Sequence, residues 1–247
     1  MNTAAFLDID GTLYRNSLMI EHFKKMVKYE IIDPGIWHTS VKAAFTEWRK
    51  RVGEYDAYML ELVDTYYEVL KGKRAADLEF ITNQVIALHG DIVYKYTRSR
   101  ILWHKVKGHK VFFISGSPEF LVAKMAEKYD IDGYKGTGYI TDSKGYFTGE
   151  VVPMWDSDSK NRAIDEFVKA YDIDLSQSYA YGDTNGDFSM LSRVGHPVAI
   201  NPAKELLLNI KSTPELVKKA MIIIERKDVI YQLDASVKMI HEDQLYI

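Results

Sequence analysis

Apolar positions along the chain follow two kinds of pattern. Residues 3–9, 111–114, 178–181 and His196–Ile200 are short, nearly continuous apolar runs with no helical period, each closed by Gly, Pro or a small polar residue. Runs of that length, bounded by turn residues, suit strands buried on both faces of a parallel sheet. Between them, residues 118–129, 159–171 and 187–194 repeat their apolar positions at three- and four-residue spacing, as amphipathic helices do. Strand–helix alternation of this kind predicts an α/β fold, a doubly wound and mostly parallel sheet. In such sheets ligands bind beyond the carboxyl ends of the strands.

Residues 14–97 break the alternation, because only helical faces occur there. One face holds Met19, Ile20, Phe23, Met26 and Val27, and another holds Val41, Ala44, Phe45 and Trp48. A third holds Met59, Leu62, Val63, Tyr66, Tyr67 and Leu70, and a fourth Leu78, Ile81, Val85, Leu88 and Ile92. A stretch this long cannot be a bare loop. It predicts a helical-bundle cap at 14–97, inserted into an α/β core made of 1–13 and 98–247, with hinges near 13–16 and 97–100. The aromatics of the insertion are read as bundle core in preference to a ligand cage. Residues 138–149 alternate around Ser143-Lys144-Gly145, which predicts a β-hairpin beside the sheet. In the tail from residue 213, 221–225 is expected as a strand and 229–240 as a helix.

The ends of the apolar runs carry the chemistry. Asp8-Ile9-Asp10-Gly11-Thr12 closes the first. Period two in a strand puts Asp8 and Asp10 on one side, so both can reach one pocket. Two carboxylates that close repel each other and need a cation or a shared proton. One can then act as nucleophile and the other as general acid–base. Ser115, in Ser115-Gly116-Ser117-Pro118, offers a hydroxyl at a helix start, which suits an anion. Lys160 opens a helix where its charge opposes the dipole, a local conflict that points to another partner such as phosphate. Asp183 and Asp187, after the third run, add hard oxygen ligands of the kind Mg²⁺ prefers. Singly, these could be solvated loop acids, a plain helix start, an exposed lysine and an N-cap. Together they sit at strand ends that the sheet gathers in one place. Four aspartates there require a divalent cation, and with Lys160 the pocket suits a phosphate dianion.

Composition narrows the picture. The 247 residues carry a formal charge of −3, with 47% hydrophobic and 27% charged residues. That is a globular composition, without the basic surplus of a non-specific nucleic-acid binder. There is no cysteine, which excludes thiolate metal sites and a catalytic thiol. The early Asp8 and the lack of a basic first segment speak against a signal peptide, and no apolar run is long enough to span a bilayer. A cytoplasmic protein is expected. Histidine spacing suits no zinc hydrolase, and no Gly-x-x-x-x-Gly-Lys is present. An EF-hand is rejected because Met19, Phe167 and Val194 stand where a loop starting at Asp8, Asp156 or Asp183 would need Glu.

These motifs, in this order, resemble the haloacid dehalogenase-like superfamily of aspartyl-phosphate phosphatases, and its helical-cap subgroup that includes phosphoserine phosphatase. The resemblance implies an Mg²⁺-dependent phosphomonoesterase acting on a small-molecule phosphate ester, with no nucleic-acid or membrane partner. It implies Asp8 as the nucleophile and Asp10 as the acid–base. It places the metal on Asp8, Asp183 and the Asp10 backbone carbonyl, with Asp187 behind it. Gly11, Thr12, Ser115, Gly116 and Lys160 are expected to hold the phosphoryl oxygens. The resemblance is incomplete in the cap. The subgroup's Glu for the substrate amine aligns with Ser17, its Arg for the carboxylate with Leu60, and the Asn of its last motif with Gly186. The expected substrate is therefore a small organic phosphate other than phosphoserine. Phosphoserine itself, or ligand binding without turnover, remains the alternative, as does transfer to an alcohol in place of water.

Overall fold

The computed structural model describes residues 1–52 and 55–240. Its centre is an eight-stranded sheet in the order β4-β3-β2-β1-β5-β6-β7-β8. The strands are β1 (Ala4–Leu7), β2 (Lys110–Pro118), β3 (Gly133–Thr141), β4 (Phe147–Val152), β5 (Tyr179–Gly182), β6 (His196–Ile200), β7 (Met221–Arg226) and β8 (Val229–Asp234). β1 pairs in parallel with β2 and β5, and the parallel set runs from β3 to β7; only β4 and β8, at the edges, are antiparallel. The four strands expected from the apolar runs are the four central ones. Their side chains alternate between two cores: Ala5, Leu7, Val111 and Phe113 face one, Ala4, Phe6, Phe112 and Ile114 the other, all fully buried. The chain leaves β1 towards β2 and β3, then returns to build β5, β6 and β7 on the other side. The order therefore reverses at β1, which makes the crevice at its carboxyl end the natural ligand site.

Five helices lie between β1 and β2: α1 (Leu18–Lys28), α2 (Lys42–Arg49), α3 (Tyr55–Leu70), α4 (Ala75–His89) and α5 (Lys95–Val106), with a π-helical turn at Trp37–Val41. The first four form the helical insertion. α5 begins inside the stretch expected for the insertion, but its residues belong to the core side. Glu225 of β7 accepts from the Lys95 and Tyr96 N–H groups at 2.9 and 2.8 Å, satisfying the helix start, and the Thr97 hydroxyl donates to the Thr12 carbonyl at 2.8 Å. The hinge expected at 97–100 therefore falls within an anchored helix. The chain crosses instead at 92–94, paired antiparallel with the outgoing strand: Arg15 N–H to the Ile92 carbonyl, 3.1 Å, and Tyr94 N–H to the Leu13 carbonyl, 2.9 Å. The remaining helices are α6 (Glu119–Tyr129), α7 (Ser157–Tyr171), α8 (Phe188–Arg193), α9 (Lys204–Ser212) and α10 (Pro214–Lys219).

Two further expectations change. The 138–149 hairpin is present, turning through Gly145 at φ +81°, but it extends the main sheet as β3 and β4. Of the helix expected over 229–240, Val229–Asp234 is instead β8, and 235–240 is a turn and irregular chain. Val229, Ile230, Leu233, Val237 and Ile240 imitate a helical spacing, yet β8 pairs residue for residue with β7 from Arg226↔Val229 to Met221↔Asp234. The two-residue connection, Lys227-Asp228, puts Lys227 at φ +56°, a conformation usually announced by Gly or Asn.

Candidate active site

Asp8 follows β1 directly and is buried at the carboxyl end of the sheet. Lys160, in the first turn of α7, is buried with it. Its ammonium lies 3.3 Å from Asp8 Oδ1 and forms a closer ion pair with Asp187 Oδ1. The other oxygen of Asp187 accepts from the backbone N–H of Asp183 (3.0 Å) and of Thr184 (3.2 Å), which fixes the loop after β5. Close approach of backbone makes this possible: a Cβ on Gly182 would collide with Asp187, and one on Gly11, at φ +82°, with the Asp183 carboxylate. The Thr12 hydroxyl donates to Asp183 Oδ1 at 2.9 Å.

Asp10 turns away from this cluster and is held by hydroxyl and backbone donors. Ser17 Oγ reaches Oδ2 at 2.9 Å, Ser117 Oγ reaches the same oxygen at 2.6 Å, and the Leu18 N–H reaches Oδ1 at 2.9 Å. Ser117 was not singled out from the sequence; the available signal was its place beside Ser115 in the Ser-Gly-Ser-Pro run. β2 continues to Pro118, further than the apolar run suggests, with a register shift against β3 after Ile114. That irregularity sets Ser115 and Ser117 around the carboxyl end of β1. Ser17 has a second task as the N-cap of α1, so it serves Asp10 and the helix and is not a substitute for a substrate-binding glutamate.

The electrostatics follow from burial. Removal from water pushes the Asp8 carboxyl up to about 7, helped by Asp187 and Asp10 and opposed by Lys160. Burial raises Asp183 well above the ordinary carboxylate range, and Asp187 and Asp8 add to this. Burial also raises Asp10, against the stabilisation of its charge by Leu18, Ser117 and Ser17. For Lys160 burial acts downward, but the Asp187 and Asp8 carboxylates outweigh it and raise the ammonium's pKa. One cation thus faces a surplus of carboxylates, and the surplus is relieved by protons or by a metal. Asp8, Asp183 and Asp187 each present an oxygen, all within 4.8 Å of one another. Closely set hard oxygens with excess negative charge fit Mg²⁺.

A cavity of roughly 470 Å³ opens above this floor. Asp8, Asp10, Ser115, Gly116, Ser117 and Lys160 line its base, and Met19, Met59, Leu60, Val63, Asp64 and Tyr67 of the insertion line its other side, with Tyr139 and Trp155. Of the residues expected to hold phosphate, Ser115, Gly116 and Lys160 border this space. Gly11 and Thr12 do not line it. The Gly11 N–H is donated to the Tyr14 and Asn16 carbonyls, and the Thr12 hydroxyl is used on Asp183. Their observed task is to shape the loop and hold Asp183. The aromatics of the insertion divide: Trp37, Phe45, Trp48 and Tyr58 stack within the bundle, whereas Tyr67 reaches the cavity wall.

Comparison with known proteins bears on the family and the fold. The model of the haloacid dehalogenase-like hydrolase family matches residues 5–192. The "Inhibition of morphological differentiation protein" of Streptomyces azureus is 29% identical over 206 residues, covering 83% of this chain and 73% of that protein. "Phosphoserine phosphatase SerB1" of Mycobacterium tuberculosis is 28% identical over 223 residues, covering 83% and 67%. A solved phosphoserine phosphatase, described as a phospho-aspartyl intermediate analogue, superposes with a TM-score of 0.59 at 21% identity, over 92% of this chain and 95% of that one.

Proposed function

The chain belongs to the haloacid dehalogenase-like hydrolases, as a phosphatase of that family, and we propose that it is an Mg²⁺-dependent phosphomonoesterase working through an aspartyl-phosphate on Asp8. The observation that carries this reading is the buried group of Asp8, Lys160, Asp183 and Asp187, of which Asp8 and Lys160, with Asp10, line the base of the cavity. Asp8 and Asp183 would hold the metal with the Asp10 carbonyl, and Asp187 would orient Lys160 and the loop. The bound metal would supply charge neutralisation for the phosphoryl oxygens.

The chain's own residues then divide the work. Asp8 attacks phosphorus; its oxygen forms the new P–O bond as the ester P–O bond breaks. Asp10, in its acid form, gives its proton to the departing alkoxide. Water next attacks the aspartyl-phosphate, passing a proton to Asp10, so phosphate and free Asp8 are restored. Lys160, with Ser115 and the backbone around Gly116, would hold the phosphoryl oxygens while charge develops on them. Ser17 and Ser117 fix Asp10 in line with the leaving oxygen.

The substrate is proposed to be a small organic phosphate other than phosphoserine. Support comes from the cavity wall, where Leu60 stands at the position expected for a carboxylate-binding arginine. The nearest substitutes from neighbouring turns are engaged elsewhere: Glu21 pairs with Lys24 at 2.9 Å, and Arg49 stacks over Phe45. Hydrolysis of an aryl phosphate, measured with Mg²⁺ and again after EDTA, tests the reaction class. Turnover that returns only with metal is expected; equal rates in both would refute the metal-dependent mechanism, and absence of turnover on a broad ester panel would favour a binding protein.

A further inference from the structure

We propose that the organic part of the substrate carries a positive charge, and no carboxylate, next to Asp64. This rests on the phosphatase reading and assigns the substrate class to its site. Asp64, on α3, is the only acidic or basic residue that the helical insertion contributes to the cavity wall among the described residues. It takes part in none of the ion pairs of those residues. No arginine or histidine lines the cavity, and the one lysine, Lys160, is committed to Asp8 and Asp187.

The surfaces beside Asp64 have a matching character. Tyr67, one turn along α3, lies 5.6 Å ring to ring from Tyr139 and 6.0 Å from Trp155. Three aromatic rings thus cluster on the cavity wall that Asp64 also lines. Ring faces attract a cation that sits over them, and a carboxylate at the end of such a wall adds a charge partner. An ammonium or imidazolium would find both. A substrate carboxylate would find no free cation and would be repelled by Asp64. A neutral aryl group would fit the rings but leave Asp64 unanswered.

Three aryl monoesters of one ring and matched chain length separate these cases: tyramine phosphate (cationic), 4-propylphenyl phosphate (neutral) and 3-(4-phosphonooxyphenyl)propionate (anionic). With Mg²⁺, kcat/KM is expected to favour the cationic ester over the neutral one by about tenfold, with the anionic ester lowest. Added salt should shrink the preference, because Asp64 is exposed. Asp64→Asn should bring the cation-to-neutral ratio near one, Asp64→Glu should keep it, and Asp64→Lys should invert the order. The same order should appear in calorimetric binding of the three esters to Asp8→Asn enzyme with Mg²⁺. If wild-type enzyme hydrolyses none of them, the phosphatase reading fails, and the binding order still scores the charge preference. Equal affinity for the three esters, or a cation preference undiminished in Asp64→Asn, would overturn the assignment of Asp64.

Discussion

At the scale of single residues, the site separates two carboxylates by surroundings. Asp8 lies against an ammonium and two further aspartates, whereas Asp10 is held by hydroxyls and one backbone N–H. That asymmetry suits Asp8 to attack beside the cations and leaves Asp10, outside that cluster, for proton transfer. Asp10→Asn keeps the shape and removes proton transfer, which typically contributes about 10²–10⁴-fold; kcat should fall by that order while the unfolding midpoint stays near wild type. Ser117→Ala deletes the shortest of the hydrogen bonds that Asp10 accepts from Ser17, Leu18 and Ser117. A hydrogen bond to a charged group contributes about 1.5–3 kcal/mol, so kcat should drop by at least about tenfold with KM little changed. A KM effect alone would mean that Ser117 contacts substrate instead. The aspartates were legible in the sequence because each stands at the end of an apolar run. Ser117 was not, since its role depends on the register shift of β2 against β3, and the donation of Thr12 to Asp183 depends on two loops 171 positions apart.

At the scale of elements, apolar runs and helical spacing identified the central strands and most helices. They left out or misread what contradicts its class. His22 is one case. It is fully buried in α1, where an apolar residue would be expected, its Nδ1 2.9 Å from the Tyr66 hydroxyl and its Nε2 3.3 Å from the Thr82 hydroxyl. These contacts join α1, α3 and α4. Burial pulls the imidazole pKa from 6.5 down to about 4, so the folded state holds neutral His22 while the unfolded chain protonates. Its stabilising contribution is complete above pH 6.5 and is lost as pH falls towards 4. The linked loss is about 3 kcal/mol. Comparing unfolding free energies of wild type and His22→Gln across that window isolates the term from the carboxylates. The advantage of wild type should shrink with acidification; a difference independent of pH would show that His22 takes up no proton on unfolding. The β7–β8 hairpin is the other case, hidden because its connection lacks glycine and its apolar spacing fits a helix.

At the scale of the whole molecule, we propose that 14–94 works as a cap whose movement opens the cavity, turning on the paired crossings at 13–15 and 92–94. It is not free at its far side. The α3–α4 connection is laced to the β3–β4 hairpin: Gly72 N–H to the Phe147 carbonyl at 2.8 Å, Phe147 N–H to Lys73 at 3.0 Å, and Ala75 N–H to Gly145 at 2.9 Å. Tyr139 of β3 also forms part of the cavity wall. Cap and hairpin should therefore move together. In hydrogen–deuterium exchange, Mg²⁺ with a slow phosphate analogue should raise protection at 71–75 and at 142–147 in parallel; protection gained by the cap alone would place the moving boundary elsewhere. The central claim, covalent catalysis by Asp8, is tested most directly by rapid acid quench during turnover of a phosphoryl-labelled aryl phosphate, with wild type and Asp8→Asn side by side. We expect a hydroxylamine-labile phosphoryl group on the peptide containing Asp8 in wild type, with label and turnover both lost in Asp8→Asn. Turnover at near-native rate in Asp8→Asn would contradict the account.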